Sequence, residues 1–164
     1  MNLRYAGWLG LAALVAVLDQ VTKWIVLETM SYGEVIPVTS FFKLVLVYNP
    51  GAAFSFLADH DGWQRWFFVG LAVIVCGWLL AMLRHHQAER ALPTAFCLII
   101  GGALGNVIDR LVHGAVVDFL YFHYQQYGWP AFNLADSAIS VGVALMLWTQ
   151  FRPGRKHTAT ETPS

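Results

Sequence analysis

Charged residues are scarce in this chain. Asp, Glu, Lys and Arg make up 12% of its 164 residues, whereas about a quarter is usual for a soluble domain. Hydrophobic residues make up 57%, and the mean hydropathy is +0.54. This balance excludes an ordinary soluble domain and predicts a membrane protein.

An excess of basic charge is also missing. Ten basic and ten acidic side chains cancel, so a nucleic-acid partner is not expected, because a protein that binds phosphate backbones needs a basic face. The two cysteines, Cys76 and Cys97, lie in apolar runs without a neighbouring histidine or second cysteine. Neither a metal site nor a thiol nucleophile is predicted, and no histidine has the spacing of a metalloprotease motif. We therefore expect no metal site.

Long hydrophobic runs are what the chain does have. Four segments reach the length of about 20 residues that a membrane helix needs: 5–30, 63–83, 92–112 and 132–151. The first continues past Asp19 to Met30, longer than the core of a cleaved signal peptide, which favours a retained helix. The sequence thus predicts one all-α membrane domain over residues 1–153, a four-helix bundle, followed by a disordered cytoplasmic tail at 154–164.

The basic residues are distributed unevenly between the two predicted faces. The external loops, about 31–62 and 113–131, contain a single Lys or Arg, which is Lys43. Arg65, at the start of the second span, is the other basic residue on this side. By the positive-inside rule both termini are cytoplasmic. The apolar, β-branched stretch at 35–48 predicts an extended, strand-like platform on the external side. The other basic residues lie at the termini or in the short link between the second and third spans: Arg4, Arg84, Arg90, Arg152, Arg155 and Lys156.

Polar side chains converge at the external face in this topology. Asp109 lies near the outer end of the third span, Asp136 in the first turns of the fourth, and Asp118 in the loop between them. Ionisable groups beside hydrocarbon are costly and usually functional, so Asp118 and Asp136 are candidates for paired acid/base chemistry. Asn133 shares a helical face with Asp136.

Other polar residues have both a structural and a functional interpretation. Asn106, Asp109 and Arg110 share one face of the third span, where Arg110 could pair with Asp109 or another carboxylate to orient it, or only hold the bundle together. Asn49, before Pro50 and Gly51, fits a turn or a substrate contact. Asp19 and Lys23 are four residues apart, which predicts a structural ion pair within one helix.

Two functions without catalysis compete with the acid/base interpretation. A small proton-coupled channel or carrier would use an Asp/Arg relay between helices, with polar groups at several depths. A non-catalytic assembly factor would use buried charge only to fix the register of its helices. The crowding of polar groups toward one face disfavours the channel, although Asp19 is a partial exception.

Five ordered motifs resemble those of the lipoprotein signal peptidase (signal peptidase II) family. They span nearly the whole chain and read, in order, Asp19-Gln20-x-Thr22-Lys23, Asn49-Pro50-Gly51-Ala52-Ala53-Phe54-Ser55, Gly101-Gly102-Ala103-x-Gly105-Asn106-x-x-Asp109-Arg110, Val117-Asp118-Phe119 and Phe132-Asn133-x-Ala135-Asp136.

The resemblance implies an aspartic endopeptidase of the bacterial inner membrane. Its substrate would be a prolipoprotein, cut before the cysteine that carries a diacylglyceryl group, and no cofactor would be required. Asp118 and Asp136 would form the catalytic pair near the periplasmic face, with a small β-sheet cradle above them. The resemblance also implies a stabilising role for Asp19. The sequence does not determine the oligomeric state; we favour a monomer, in contact with membrane lipid. The residues that would shape the site are Asn49, Asn106, Asp109, Arg110 and Asn133.

Overall fold

Four long helices form a bundle in the computed structural model, which describes residues 3–51 and 62–151. The helices are α1 (Leu3–Thr29), α2 (Trp63–His85), α3 (Ala91–His113) and α4 (Leu134–Phe151), and each is long and apolar enough to cross a membrane. The prediction of a four-helix membrane bundle with a small sheet is confirmed. The predicted tail at 154–164 lies outside the described residues.

Helix α3 is the centre of the bundle. It packs against all three other helices, and its buried positions include Gly101, Gly102 and Gly105. A β-carbon at Gly102 would lie 2.5 Å from the carbonyl oxygen of Ala135, so α4 lies directly against the α3 backbone. Close approach of this kind is typical of small residues between membrane helices.

Helix α2 is the most peripheral of the four. It packs mainly on α3, and its outward face carries large exposed apolar side chains such as Trp66, Val73 and Ile74. In water such a surface would be unstable, but lipid tails are as apolar as these side chains. The exposed face is therefore the one that contacts lipid.

A four-stranded antiparallel sheet covers one end of the bundle. Its strands are β1 (Val35–Pro37), β2 (Phe42–Asn49), β3 (Val116–Tyr124) and β4 (Tyr127–Gly128), in that spatial order. The extended stretch predicted at 35–48 corresponds to β1 and β2. Strand β3 was not predicted: residues 113–131 were expected to be a loop. Val116, Val117 and Phe119 are buried there, so this loop contributes a central strand to the sheet.

The fourth helix begins two residues later than the predicted span. Phe132 is not helical because it pairs with Leu120 of β3 in an isolated antiparallel bridge. The backbone N–H groups of Phe119 and Leu120 both donate to the Phe132 carbonyl. This bridge ties the start of α4 to the sheet and brings Asn133 and Asp136 next to β3.

The contact between α3 and α4 gives a stability prediction. We expect Gly102→Ala to lower the free energy of unfolding by about 1–3 kcal/mol, because the new methyl group overlaps the Ala135 carbonyl and the two helices must separate. Gly77→Ala is the matched control, since nothing lies within 4 Å of its β-carbon position. Thermal unfolding in detergent measures both variants, and equal midpoints would contradict this account of the packing.

Candidate active site

A buried ion cluster lies beneath the sheet. The Lys23 ammonium is 2.7 Å from Asp19 Oδ2 and 2.7 Å from Asp109 Oδ2, and all three side chains are at most 2% exposed. The predicted pair of Asp19 with Lys23 is present. A single buried charge would be costly, so the lysine and the two carboxylates depend on one another.

Asp109 pairs with Lys23 and not with Arg110. Its Oδ2 also accepts a hydrogen bond of 2.9 Å from the backbone N–H of Val117, and its Oδ1 accepts one of 2.8 Å from Gln20 Nε2. Asp109 thus attaches the start of β3 to the bundle. Gln20 was missed as a member of this cluster, although it stands beside Asp19 in the sequence.

Arg110 forms no ion pair among the residues of 3–51 and 62–151. Its Nη1 donates to the carbonyl oxygen of Asn106 over 3.2 Å, and its guanidinium lies 4.8 Å above the ring of Phe68. The expectation that a carboxylate pairs with Arg110 is therefore wrong within the described structure. The rotation of α3 turns Asp109 toward α1, whereas Arg110 faces α2.

Asp118 lies on β3 and is almost completely buried. Asn49 Nδ2 donates to its Oδ2 over 2.9 Å, and Asn133 Nδ2 donates to its Oδ1 over 2.7 Å. Burial raises the pKa of Asp118 to about 7, and the nearby charge of Asp136 acts in the same direction, while the two amide donors oppose it. Asp118 can therefore hold or release a proton near neutral pH.

Asp136 belongs to the first turn of α4. Asn133 Oδ1 accepts from the backbone N–H of Asp136 at 2.9 Å, and Asp136 Oδ2 accepts from the N–H of Asn133 at 3.3 Å. This reciprocal pattern is a capping box, in which Asn133 is the N-cap. Asp19 Oδ1 accepts from another backbone N–H of this first turn, that of Ala135, at 2.8 Å. The start of α4 is thus held by its own capping box and by a carboxylate from α1.

Asn133 connects the two candidate carboxylates. Its amide nitrogen donates to Asp118, while its amide oxygen and backbone N–H both bind Asp136. Asn106 Nδ2 donates to Asp136 Oδ1 over 2.8 Å. Each carboxylate is thus oriented by asparagine amides from neighbouring elements.

Both carboxylates open onto one cavity of about 830 Å³. Asn49 and Arg110 also line it, so the structure gathers four of the predicted site residues at a single surface. The other three, Asn106, Asp109 and Asn133, lie behind this wall. Sequence reasoning missed the apolar part of the lining, because aromatic residues in a membrane chain carry no distinguishing signal. The additional lining residues are Val47, Tyr48, Gly51, Phe68, Trp129, Pro130, Ala131, Phe132, Ser137, Ser140 and Val141.

The described residues offer no obvious metal site. In ranges 3–51 and 62–151, no three side chains of His, Cys, Asp or Glu come together in a group that could hold an ion.

Known proteins resemble this chain over most of its length. The sequence model of the family described as signal peptidase (SPase) II matches residues 11–152. The lipoprotein signal peptidase of Azoarcus sp. (strain BH72) is 73% identical over 148 residues, which cover 90% of this chain and 84% of that protein. The lipoprotein signal peptidase of Cupriavidus necator is 55% identical over 150 residues, covering 92% and 86% of the two chains.

Solved structures show the same architecture. One, described as a bacterial membrane enzyme determined by the in meso method at 2.3 Å resolution, superposes with a TM-score of 0.80. It is 31% identical and covers 96% of this chain, with 95% of its own length matched. Fold and sequence together define a multi-pass peptidase of the bacterial inner membrane. The chain belongs to the signal peptidase II family, the lipoprotein signal peptidases.

The buried Asp118 carboxyl gives a pH prediction. Its pKa is higher in the folded protein than in the unfolded chain, so the folded state binds a proton more strongly and loses stability as pH rises from about 4 to about 7. We expect the thermal midpoint to fall less over this range in Asp118→Asn than in the wild type. The slopes are compared, because asparagine also changes the hydrogen bonds to Asn49 and Asn133 at every pH. Parallel curves would contradict the prediction.

Proposed function

We propose that this lipoprotein signal peptidase is an aspartic endopeptidase whose catalytic groups are Asp118 and Asp136. The observation that carries the proposal is their joint attachment to Asn133 at the wall of one cavity. Lipoprotein signal peptidases remove signal peptides from prolipoproteins, and the bond cut would precede the diacylglyceryl-modified cysteine.

Two adjacent carboxyl groups favour the required chemistry. Like charges placed close together do not both ionise readily, so the pair holds one proton near neutral pH. The raised pKa of Asp118, about 7, is in keeping with a shared proton. We assign this proton to the pair and not to one of its two members.

The reaction is a hydrolysis in which the pair returns to its starting state. The ionised carboxylate takes a proton from water, whose oxygen attacks the scissile carbonyl carbon, while the neutral carboxyl gives its proton to the carbonyl oxygen. The tetrahedral intermediate then returns that proton, its C–N bond breaks, and the leaving nitrogen takes the proton that came from water. The products are the carboxyl end of the signal peptide and the free α-amino group of the lipid-modified cysteine.

The remaining polar residues have supporting roles in this proposal. Asn49, Asn106 and Asn133 orient the carboxylates by donating N–H bonds to them. Arg110 lines the cavity with its guanidinium held by Asn106 and Phe68, where spare N–H donors can bind a substrate carbonyl. Asp109 holds β3, and Asp19 with Lys23 stabilises the bundle.

The proposed orientation places both termini in the cytoplasm and the site at the periplasmic face. Support comes from the ends of the helices: α1 runs from Arg4 toward the sheet, and α2 runs away from it to Arg84, with Arg90 just beyond. These three arginines thus lie at the end opposite the cavity, in agreement with the positive-inside rule for the cytoplasmic side. We further propose a monomeric enzyme, because one chain supplies every proposed site residue.

The channel or carrier alternative is not favoured. A relay through the bundle needs polar groups along the whole membrane depth, and family membership instead identifies a peptidase.

The catalytic proposal predicts loss of cleavage in two isosteric variants. Asp118→Asn and Asp136→Asn should each lower turnover of a diacylglyceryl-modified prolipoprotein by at least about 10²-fold, because an amide cannot act as the general base. Glu89→Gln, in the link between α2 and α3, is the matched acid-to-amide control and should cleave at the wild-type rate. Activity retained at equal folded amounts in either aspartate variant would remove that residue from the catalytic pair.

The orientation is tested by labelling in spheroplasts with a membrane-impermeant maleimide. In a background where Cys76 and Cys97 are alanine, Ser40→Cys beside β2 should react from outside, because Ser40 is exposed at the sheet end. Glu89→Cys should react only after the cells are lysed. The reverse labelling pattern would overturn the proposed topology.

A further inference from the structure

Lys23 makes a third polar contact beyond its two ion pairs. Its ammonium donates to Asn106 Oδ1 over 3.1 Å, and the same Asn106 side chain donates from Nδ2 to Asp136 Oδ1 over 2.8 Å. One amide therefore lies directly between the buried lysine and a candidate catalytic carboxylate.

An ammonium group can only donate hydrogen bonds, and this decides which way the amide points. With Lys23 in place, the oxygen of Asn106 faces the ammonium and its NH₂ group faces Asp136. Rotation of the amide by half a turn would place an oxygen against the carboxylate and an NH₂ group against the cation. Both contacts would then be repulsive, so the lysine selects one of two orientations.

We infer that Lys23 is a positioning residue for the proposed peptidase reaction: through Asn106 it holds the Asp136 carboxylate in its reactive orientation, and its positive charge favours ionisation of the catalytic pair. The inference rests on the proposed function. Lys23 does not line the cavity, whereas Asp136 does, so the lysine acts through Asn106 and not on the substrate.

The charged groups around Lys23 decide the expected pH effect. Asp19 faces it from α1 and Asp109 from α3. At Asn106, Asp136 of α4 accepts from the side-chain amide and Arg110 of α3 donates to the backbone carbonyl, while Asp118 of β3 is linked to this amide through Asn133. Removing the ammonium takes away the cation and the shorter of two hydrogen bonds to Asn106 Oδ1, leaving only the one of 3.3 Å from Asn133 Nδ2. Ionisation of the catalytic pair then becomes harder, and the acidic limb of the kcat/KM profile moves to higher pH.

A stabilising role alone must be separated from positioning, because Lys23→Met would leave two buried carboxylates uncompensated. Asp19→Asn therefore serves as the background: its amide oxygen can accept from the Lys23 ammonium, which keeps its ion pair with Asp109 and its hydrogen bond to Asn106. The loss of the Asp19 carboxylate as acceptor for Ala135 N–H is common to both variants compared. Adding Lys23→Met to this background restores the net charge that the cluster has in the wild type. The comparison of the double variant with Asp19→Asn isolates the effect of the lysine.

Cleavage of a synthetic diacylglyceryl-cysteine prolipoprotein peptide is measured on monodisperse protein in detergent, at matched folded amounts. Relative to Asp19→Asn, the double variant should show kcat lower by about 10-fold to 10²-fold, with KM nearly unchanged and the acidic limb at higher pH. An unchanged kcat, or a lower kcat with the limb in place, would overturn the inference and leave Lys23 with a stabilising role only.

A second variant keeps the test decisive if the methionine protein does not fold. Lys23→Gln in the Asp19→Asn background keeps N–H donors for Asn106 but removes the positive charge. Because the charge favours ionisation of the catalytic pair, the acidic limb of this variant should still lie at higher pH than that of Asp19→Asn. A limb at the same pH would overturn the inference. Failure of the proposed function is distinguished from both results, because wild type and Asp19→Asn would then not cleave the peptide at all.

Discussion

The Lys23 ammonium is a buried cation, and the helices around it are arranged to compensate its charge. Taking such a group out of water costs several kcal/mol unless carboxylates and hydrogen-bond acceptors surround it. Asp19 supplies one carboxylate from α1 and Asp109 supplies the other from α3, and these same groups bind the backbone N–H groups of Ala135 and Val117. One cation thus connects two helices with the starting points of β3 and α4, which carry the two candidate catalytic aspartates.

Three asparagines held by this framework donate hydrogen bonds to the Asp118 and Asp136 carboxylates. Each amide has its oxygen engaged elsewhere: that of Asn49 by the N–H of Gly51, that of Asn106 by Lys23, and that of Asn133 by the N–H of Asp136. Their NH₂ groups consequently face the carboxylates. A serine or a water molecule in the same places could rotate to donate or accept, whereas these amides cannot, and so the carboxylates meet donors whatever their own protonation state.

The sequence was sufficient to predict the membrane spans and one ion pair, but not the partner of Asp109 or strand β3. Hydrophobic length was enough for four spans, and the four-residue spacing of Asp19 and Lys23 was enough for their ion pair. Spacing alone could not show that Asp109 pairs with Lys23 instead of Arg110, because that depends on the rotation of α3 against α1. Close contact at Gly105, where an added β-carbon would overlap the Asp19 carboxylate, sets this rotation. Strand β3 was missed although Val116–Tyr124 is rich in β-branched and aromatic residues, because its pairing partner, β2, lies some 70 residues away.

Helix α2 has a different relation to the site from the other three helices. It contributes Phe68 to the cavity wall and packs mainly on α3, yet none of the hydrogen bonds to Asp118 or Asp136 described above comes from it. A tilt of α2 would therefore change the width of the cavity without moving Asp118, Asp136 or the asparagine amides that bind them. Substrate entry and peptide-bond cleavage thus depend on different parts of the fold. The α2 side of the cavity can adjust to the size of the substrate, while the distance between Asp118 and Asp136 stays constant.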